Sequence, residues 1–228
     1  MGSPEFESTH FDSRSSLPDH DGGGIVTSTY CPSLSSSMLA DLTRFSNEPT
    51  GTELLVIIAA GVRHAHSIAM HLQLGKKDLR LSVYPREQLF RCETDVCELR
   101  PVELAQLRCV HVEPETLVAP AGSGAVEVSP DSFHALGPLL WQLALHGPQS
   151  ELLPEIAGRV KYRLSRGVSL NGLPVENTMR SILNRMGRES FSLNELAGWA
   201  VLGRPRIRRL LNALYLQSGL MITRGFPS

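Results

Sequence analysis

Glycines at 187, 203 and 219 cut the last fifty residues into segments too short to be stable helices alone, so each must bury an apolar face against another element. Pro174 opens the first segment, and Val175, Met179, Ile182 and Met186 recur on one helical face as far as Gly187. Ser192-Leu193-Asn194-Glu195 has the form of a capping box and starts a second helix that runs through Trp199. The link Val201-Leu202-Gly203-Arg204 leads into a third helix from Pro205 to Gln217, with Gly219 as its terminator. Leu220 to Arg224 reads as a short strand.

Upstream the signals are of another kind. Leu54 to Ala60 admits two readings: a buried strand followed by a helix and a second strand in a βαβ unit, or one helix over Glu53–Leu74 with Leu54, Ile58, Ala65, Ile68 and Leu72 on one face. The content of Ala, Leu, Glu, Met and Gln favours the single helix, since Gly61 is the one turn signal in it. Leu79 to Tyr84 and Gln88 to Glu93 form the arms of a hairpin about Pro85 to Glu87, and Leu107 to Val112 is a further strand. Gly122-Ser123-Gly124 is a loop. Ser129-Pro130-Asp131 then caps a helix carrying Leu136, Leu139, Leu140 and Leu143, stopped by Gly147-Pro148. Strict alternation from Arg159 to Leu164 predicts a strand with Val160, Tyr162 and Leu164 inward and Arg159, Lys161 and Arg163 as an outer comb of cations.

Residues 7 to about 50 hold Ser-rich and Gly-rich runs without a sustained period and read as a flexible, disordered leader, in which Ile25 to Val26 and Met38 to Phe45 are the only segments able to dock. Met1 to Phe6 has neither a basic nor an apolar targeting region and reads as vector-derived. No apolar run reaches the eighteen residues of a membrane span. Cysteines at 31, 92, 97 and 109 leave the last 119 residues without one, so a core and not a disulfide framework must hold the chain, as in a reducing cytoplasm. The expectation is an α+β protein: a leader over 1–50, a small acidic α/β domain with a β-hairpin over 51–128, and a basic, mainly helical half over 129–228.

Charge is divided along the chain. From Arg159 to Ser228 twelve Lys and Arg meet three acids, a net of +9, while the other 158 residues carry ten bases and twenty acids. Such a basic half suits a polyanionic partner, unless the two halves neutralise each other across an internal interface. Eleven of the twelve bases are Arg, whose fork matches phosphate or carboxylate.

Three helices followed by a strand, with Ser192 to Glu195, Leu196-Ala197, Gly203, Ile207, Leu210, Leu214 and Gly219-Leu220 at their positions, resemble the winged helix-turn-helix family over residues 174–224. The second strand of a wing would have to come from Arg159 to Leu164. That resemblance implies a third helix that enters the major groove. Its core stripe is Ile207, Leu210, Leu211 and Leu214, which leaves Arg206, Arg208, Arg209, Asn212 and Ala213 on the flanks and outer face. Arg and Asn there could bond guanine and adenine in bidentate fashion, with Arg180, Arg204 and Arg224 on phosphates. Leu216 lies at the centre of the same outer face and points to the alternative, a signalling adaptor that presents Arg206, Arg209 and Leu216 to an acidic protein. In either case the α/β domain would be a sensor or dimerisation unit.

No enzymatic apparatus is visible. His64, His66 and His71 cannot share a metal on one helix. Cys92-x4-Cys97 with Cys109-x-His111 offers thiolate and imidazole ligands suited to zinc, but in no standard spacing, and each Cys interrupts a strand pattern as a small core residue would. No nucleotide-binding, nucleophile-elbow or zincin motif occurs. The expectation is a non-enzymatic regulatory protein without cofactor or metal.

Overall fold

A computed structural model describes residues 54–92, 96–115, 133–199 and 202–225, the side chain of Cys97 excepted. The expected leader, the Gly122 loop and the Ser129-Pro130-Asp131 cap lie outside the described residues.

The first helix, α1, spans Leu54–His64 and buries Leu54, Leu55, Ile57, Ile58, Ala59 and Ala60. It is neither the long helix over Glu53–Leu74 nor the opening strand of a βαβ unit. Ala65 turns into the left-handed region (φ 51°), and the chain closes the helix with His66 N–H donating to Gly61 C=O at 3.1 Å and Ala65 N–H to Val62 C=O at 3.2 Å. Those paired bonds are a Schellman ending with alanine where glycine is usual. Gly61 acts through the space it leaves. A Cβ there would lie 2.9 Å from Ile68 Cδ1, so its absence lets the following strand cross close to the helix.

That strand, β1 (Ile68–Leu74), turns at Gly75-Lys76 into β2 (Lys77–Tyr84), with Leu74 opposite Lys77. Gly75 takes φ 62°, as the first central position of a II′ turn demands. The expected hairpin follows, β2 pairing with β3 (Leu89–Cys92). A short helix α2 (Pro101–Leu104) leads to β4 (Arg108–Pro114), which pairs with β1 and is bulged where Cys109 and His111 face Leu72 and His71. The strand β5 (Phe133–Ala135) completes an antiparallel five-stranded sheet of order β4-β1-β2-β3-β5. Ile68, Met70, Leu72, Leu79, Leu81, Val83 and Phe90 alternate onto its core face.

The next helix, α3, spans Leu136–His146 and is capped by Gly147. It starts at Leu136, because Phe133 to Ala135 pair with β3 before the chain coils. Strand β6 (Val160–Leu164) buries Val160 and Tyr162 as its alternation predicts. Then come α4 (Asn177–Met186), α5 (Leu193–Trp199), α6 (Gly203–Leu216) and β7 (Leu220–Arg224), the last paired antiparallel with β6. Phe191 bridges Tyr162 on the other edge of β6. The fold is thus mixed α+β, with six α-helices among the described residues.

One apolar core runs from α1 and the sheet through α3 to α6. Helix α6 packs along α3 on one side and against α5 on another, burying Ile207, Leu210, Leu211, Ala213, Leu214 and Leu216. Each large aliphatic side chain so buried contributes roughly 1.5–3 kcal/mol. The helix ends in a second Schellman motif: Gly219 N–H donates to Leu214 C=O at 2.8 Å and Ser218 N–H to Tyr215 C=O at 2.9 Å. Ser218, not Gly219, holds the left-handed position (φ 54°).

Candidate nucleic-acid interface

The side chains of α6 expected to face outward are mostly used inside the protein. Asn212 is fully buried; its Nδ2 donates to Glu151 C=O at 2.8 Å and its Oδ1 accepts from Leu153 N–H at 2.9 Å. Arg209 donates to the carbonyls of Leu145 (3.1 Å) and Gly147 (2.7 Å), capping α3, and burial pulls its pKa below the ordinary guanidinium value. Arg208 pairs with Glu151, and Arg206 donates to both carboxylate oxygens of Glu176 at 3.0 Å. Leu216, expected at the centre of an exposed face, is 5% exposed and belongs to the core. The reason is architectural. A helix sandwiched between two layers buries a second stripe, and α3 with the 147–153 segment covers the face that a single-layer helical wheel assigns to solvent. Neither base reading by Asn212 nor an anchor at Leu216 is open to a partner in this arrangement.

All three residues expected to bind phosphates reach the surface. Arg180 is exposed on α4, Arg204 on the first turn of α6, and Arg224 at the end of β7, where its Nη2 donates to Glu155 C=O at 3.1 Å. Arg204 Nη2 donates to Asn194 Oδ1 at 2.7 Å, which fixes the guanidinium against the start of α5.

Between β6, β7, the start of α5 and Arg204 lies an open cleft of about 460 Å³. Arg159, Lys161 and Arg204 line it, with Asn194 and Thr223. Arg159 and Lys161 belong to the comb that alternation identified, although their part in a site could not be read without knowing that β6 lies beside α5 and α6. The three cations form no ion pair among the described residues. At the cleft's edge the capping box is closed as expected: Ser192 N–H and Oγ–H both donate to Glu195 Oε2 at 2.7 Å, and Glu195 N–H donates to Ser192 Oγ at 3.3 Å. Those bonds, the backbone one foremost, hold the Glu195 carboxyl below the usual carboxylate range, with Lys161 adding to the effect.

Arg185 on α4 is also exposed and stacks 3.6 Å above the Trp199 ring, which meets Phe191 edge-on at 4.1 Å. The sequence marks neither stack. Internal neutralisation of the basic segment accounts for Arg206 and Arg208, while Arg159, Arg180, Arg185, Arg188 and Arg204 form no salt bridge among the described residues, and Lys161 has only the longer-range attraction of Glu195.

Elsewhere His71 and His111 face each other across β1 and β4 with ring centroids 5.7 Å apart. Among the described residues no group of three or more His, Cys, Asp or Glu is arranged to hold a metal ion. Nor is any described helix long and apolar enough to cross a membrane. Comparisons with protein-family models, curated proteins and solved structures find no match to this chain.

Proposed function

We propose that the chain is a non-enzymatic regulatory protein whose basic C-terminal half binds duplex DNA by its phosphate backbone. The contacts come from Arg159, Lys161 and Arg204 around the β6–β7 cleft, and α6 serves as the buried support of that surface. The observation that carries this reading is the grouping of three cations without ion-pair partners in one open cleft, while the remaining Arg side chains of α6 are engaged internally. The winged-helix resemblance is supported by α4, α5, α6 and β7 in that order, with β6 supplying the second strand a wing needs. The sheet domain remains the natural place for a sensor.

Cations that neutralise phosphates release counterions, so log K should fall with log salt at a slope of about −0.9 per phosphate, near −2.7 for three contacts. Titration of the full chain with random-sequence duplex from low to physiological salt, repeated for Lys161→Glu with Arg204→Glu, tests this. The double variant should flatten the slope by about two such contacts. Unchanged binding in the double variant, or none in the parent at about 50 mM salt, refutes the assignment.

One observation favours the adaptor alternative. Met221, 52% exposed, stands opposite Arg163 on the outer face of the β6–β7 pair, an apolar side chain that DNA phosphates would not use. If an acidic protein is the partner, Met221→Ser weakens its binding; duplex binding through the cleft is indifferent to that change.

A further inference from the structure

A second cleft, of about 430 Å³, lies away from the cations, where α2, the last turn of α3 and the start of α4 meet. Leu99, Leu145, Val175 and Met179 form its apolar walls. Gln142 and His146 also line it, one helical turn apart on α3 and therefore on one face. Neither side chain has a hydrogen-bond partner among the described residues, although both are half-buried. The Glu176 carboxylate at the rim is already matched by the Arg206 guanidinium, so it offers no bare charge to a ligand.

We infer that this cleft binds a small uncharged molecule with an apolar or aromatic body and an amide or hydroxyl group that bonds Gln142 and His146. The size fits, since small-molecule sites run from about 300 to 1,000 Å³ with apolar walls and a few convergent polar groups. The chemistry fits as well. A carboxamide and a neutral imidazole can each donate and accept, as an amide or hydroxyl ligand requires. Burial and then the nearby Arg209 lower the His146 pKa, keeping its ring neutral at neutral pH. Arg209, the nearby cation without a carboxylate partner, is held on the Leu145 and Gly147 carbonyls and does not line the cleft, so a charged ligand gains no direct counter-charge there. Two walls belong to helices attached to the sheet, and the third belongs to α4 of the basic half, so an occupant would touch both parts of the molecule at once. The inference does not depend on DNA being the partner of the other cleft.

A reporter is built in. Trp141 Nε1 donates to the carbonyl of Pro174 at 3.2 Å, and Pro174 lines the cleft. The indole N–H resonance of Trp141 in the full chain, assigned by its survival in Trp199→Phe, can be followed while benzamide or phenol is added, with benzoate as the charged control. Benzamide and phenol should shift it saturably with millimolar affinity, and benzoate should be at least tenfold weaker. Val175→Trp, which fills the cleft, should abolish the response; Gln142→Ala with His146→Ala, which leaves the walls standing, should weaken it about tenfold. Melting curves identify a variant that fails to fold, in which case the other variant decides. No saturable shift with benzamide or phenol up to about 20 mM overturns the inference, since that limit lies well above the millimolar affinity of a weak fragment. So does a shift that folded Gln142→Ala/His146→Ala leaves unchanged, or one that benzoate produces equally.

Discussion

The carboxamide of Asn212 accepts a hydrogen bond of 2.9 Å from the backbone N–H of Leu153, 59 positions earlier in the chain. The same side chain donates to the Glu151 carbonyl, so one fully buried residue of α6 satisfies two backbone groups of a segment that has no regular structure to do so. Asn212→Ala removes both partners and leaves the two groups unsatisfied. It should cost about 1–3 kcal/mol in urea unfolding. Asn212→Asp keeps the acceptor and loses the donor, and a buried carboxylate adds its own penalty, so it should rescue nothing.

Leu216→Ser puts a hydroxyl and a cavity into the core between α6 and its neighbours. An expected loss of about 2–4 kcal/mol follows from large-to-small substitution with an added polar group. Chemical denaturation of the full chain measures it. A loss below about 0.5 kcal/mol, the range of surface sites, would mean that Leu216 faces solvent after all.

Ser218 and Gly219, which follow the Gln217 C-cap of α6, should respond in opposite directions. Ser218 sits at φ 54°, where a Cβ is strained, so Ser218→Gly should be neutral to stabilising by up to about 1 kcal/mol. Gly219→Ala would set a Cβ 2.5 Å from Val168 Cγ2 and should destabilise. Equal losses at both positions in thermal melts would contradict this assignment of the Schellman positions.

His146 gives the fold a pH dependence. Its folded pKa lies below the ordinary 6.5, because burial first, and Arg209 and Arg206 after it, disfavour the imidazolium, with Glu176 opposing them. The unfolded chain therefore binds the proton more readily. The stability contribution is complete above 6.5 and is lost as pH falls through the folded value. Melting temperature should drop between pH 7.5 and pH 5.5, and His146→Gln should drop less over the same interval. Parallel pH profiles for the two chains would remove His146 as the cause.

Much of the fold could be read from the residues themselves. The alternation of Val160 and Tyr162, the Ser192/Glu195 box and the Gly147 stop after α3 are local signals with local causes, and each element lies where its signal is. The end of α1 was hidden because Ala65, not glycine, takes the left-handed position, and only tertiary packing of β1 on Gly61 explains why the helix stops there. Strand β5 is three residues long and has no period of its own; its pairing with β3 defines it. Position 212 misled for a different reason. Asparagine reads as a surface residue unless the segment whose backbone it satisfies is known, and Glu151 to Leu153 are far away in sequence. The cationic cleft fell between these cases: its charges were countable, but their assembly depends on which strand lies beside α5.

The burial of α6 on two sides limits how this protein can be dissected. A graft of residues 174–224 onto an unrelated carrier would bring Ala213 and Leu216 into water along the side that α3 covers, and would strand Asn212 without the carbonyl and N–H it serves. Such a transplant should aggregate or collapse onto its host. Keeping that side covered requires α3, so any exchange of the basic surface between this chain and another must carry that helix along.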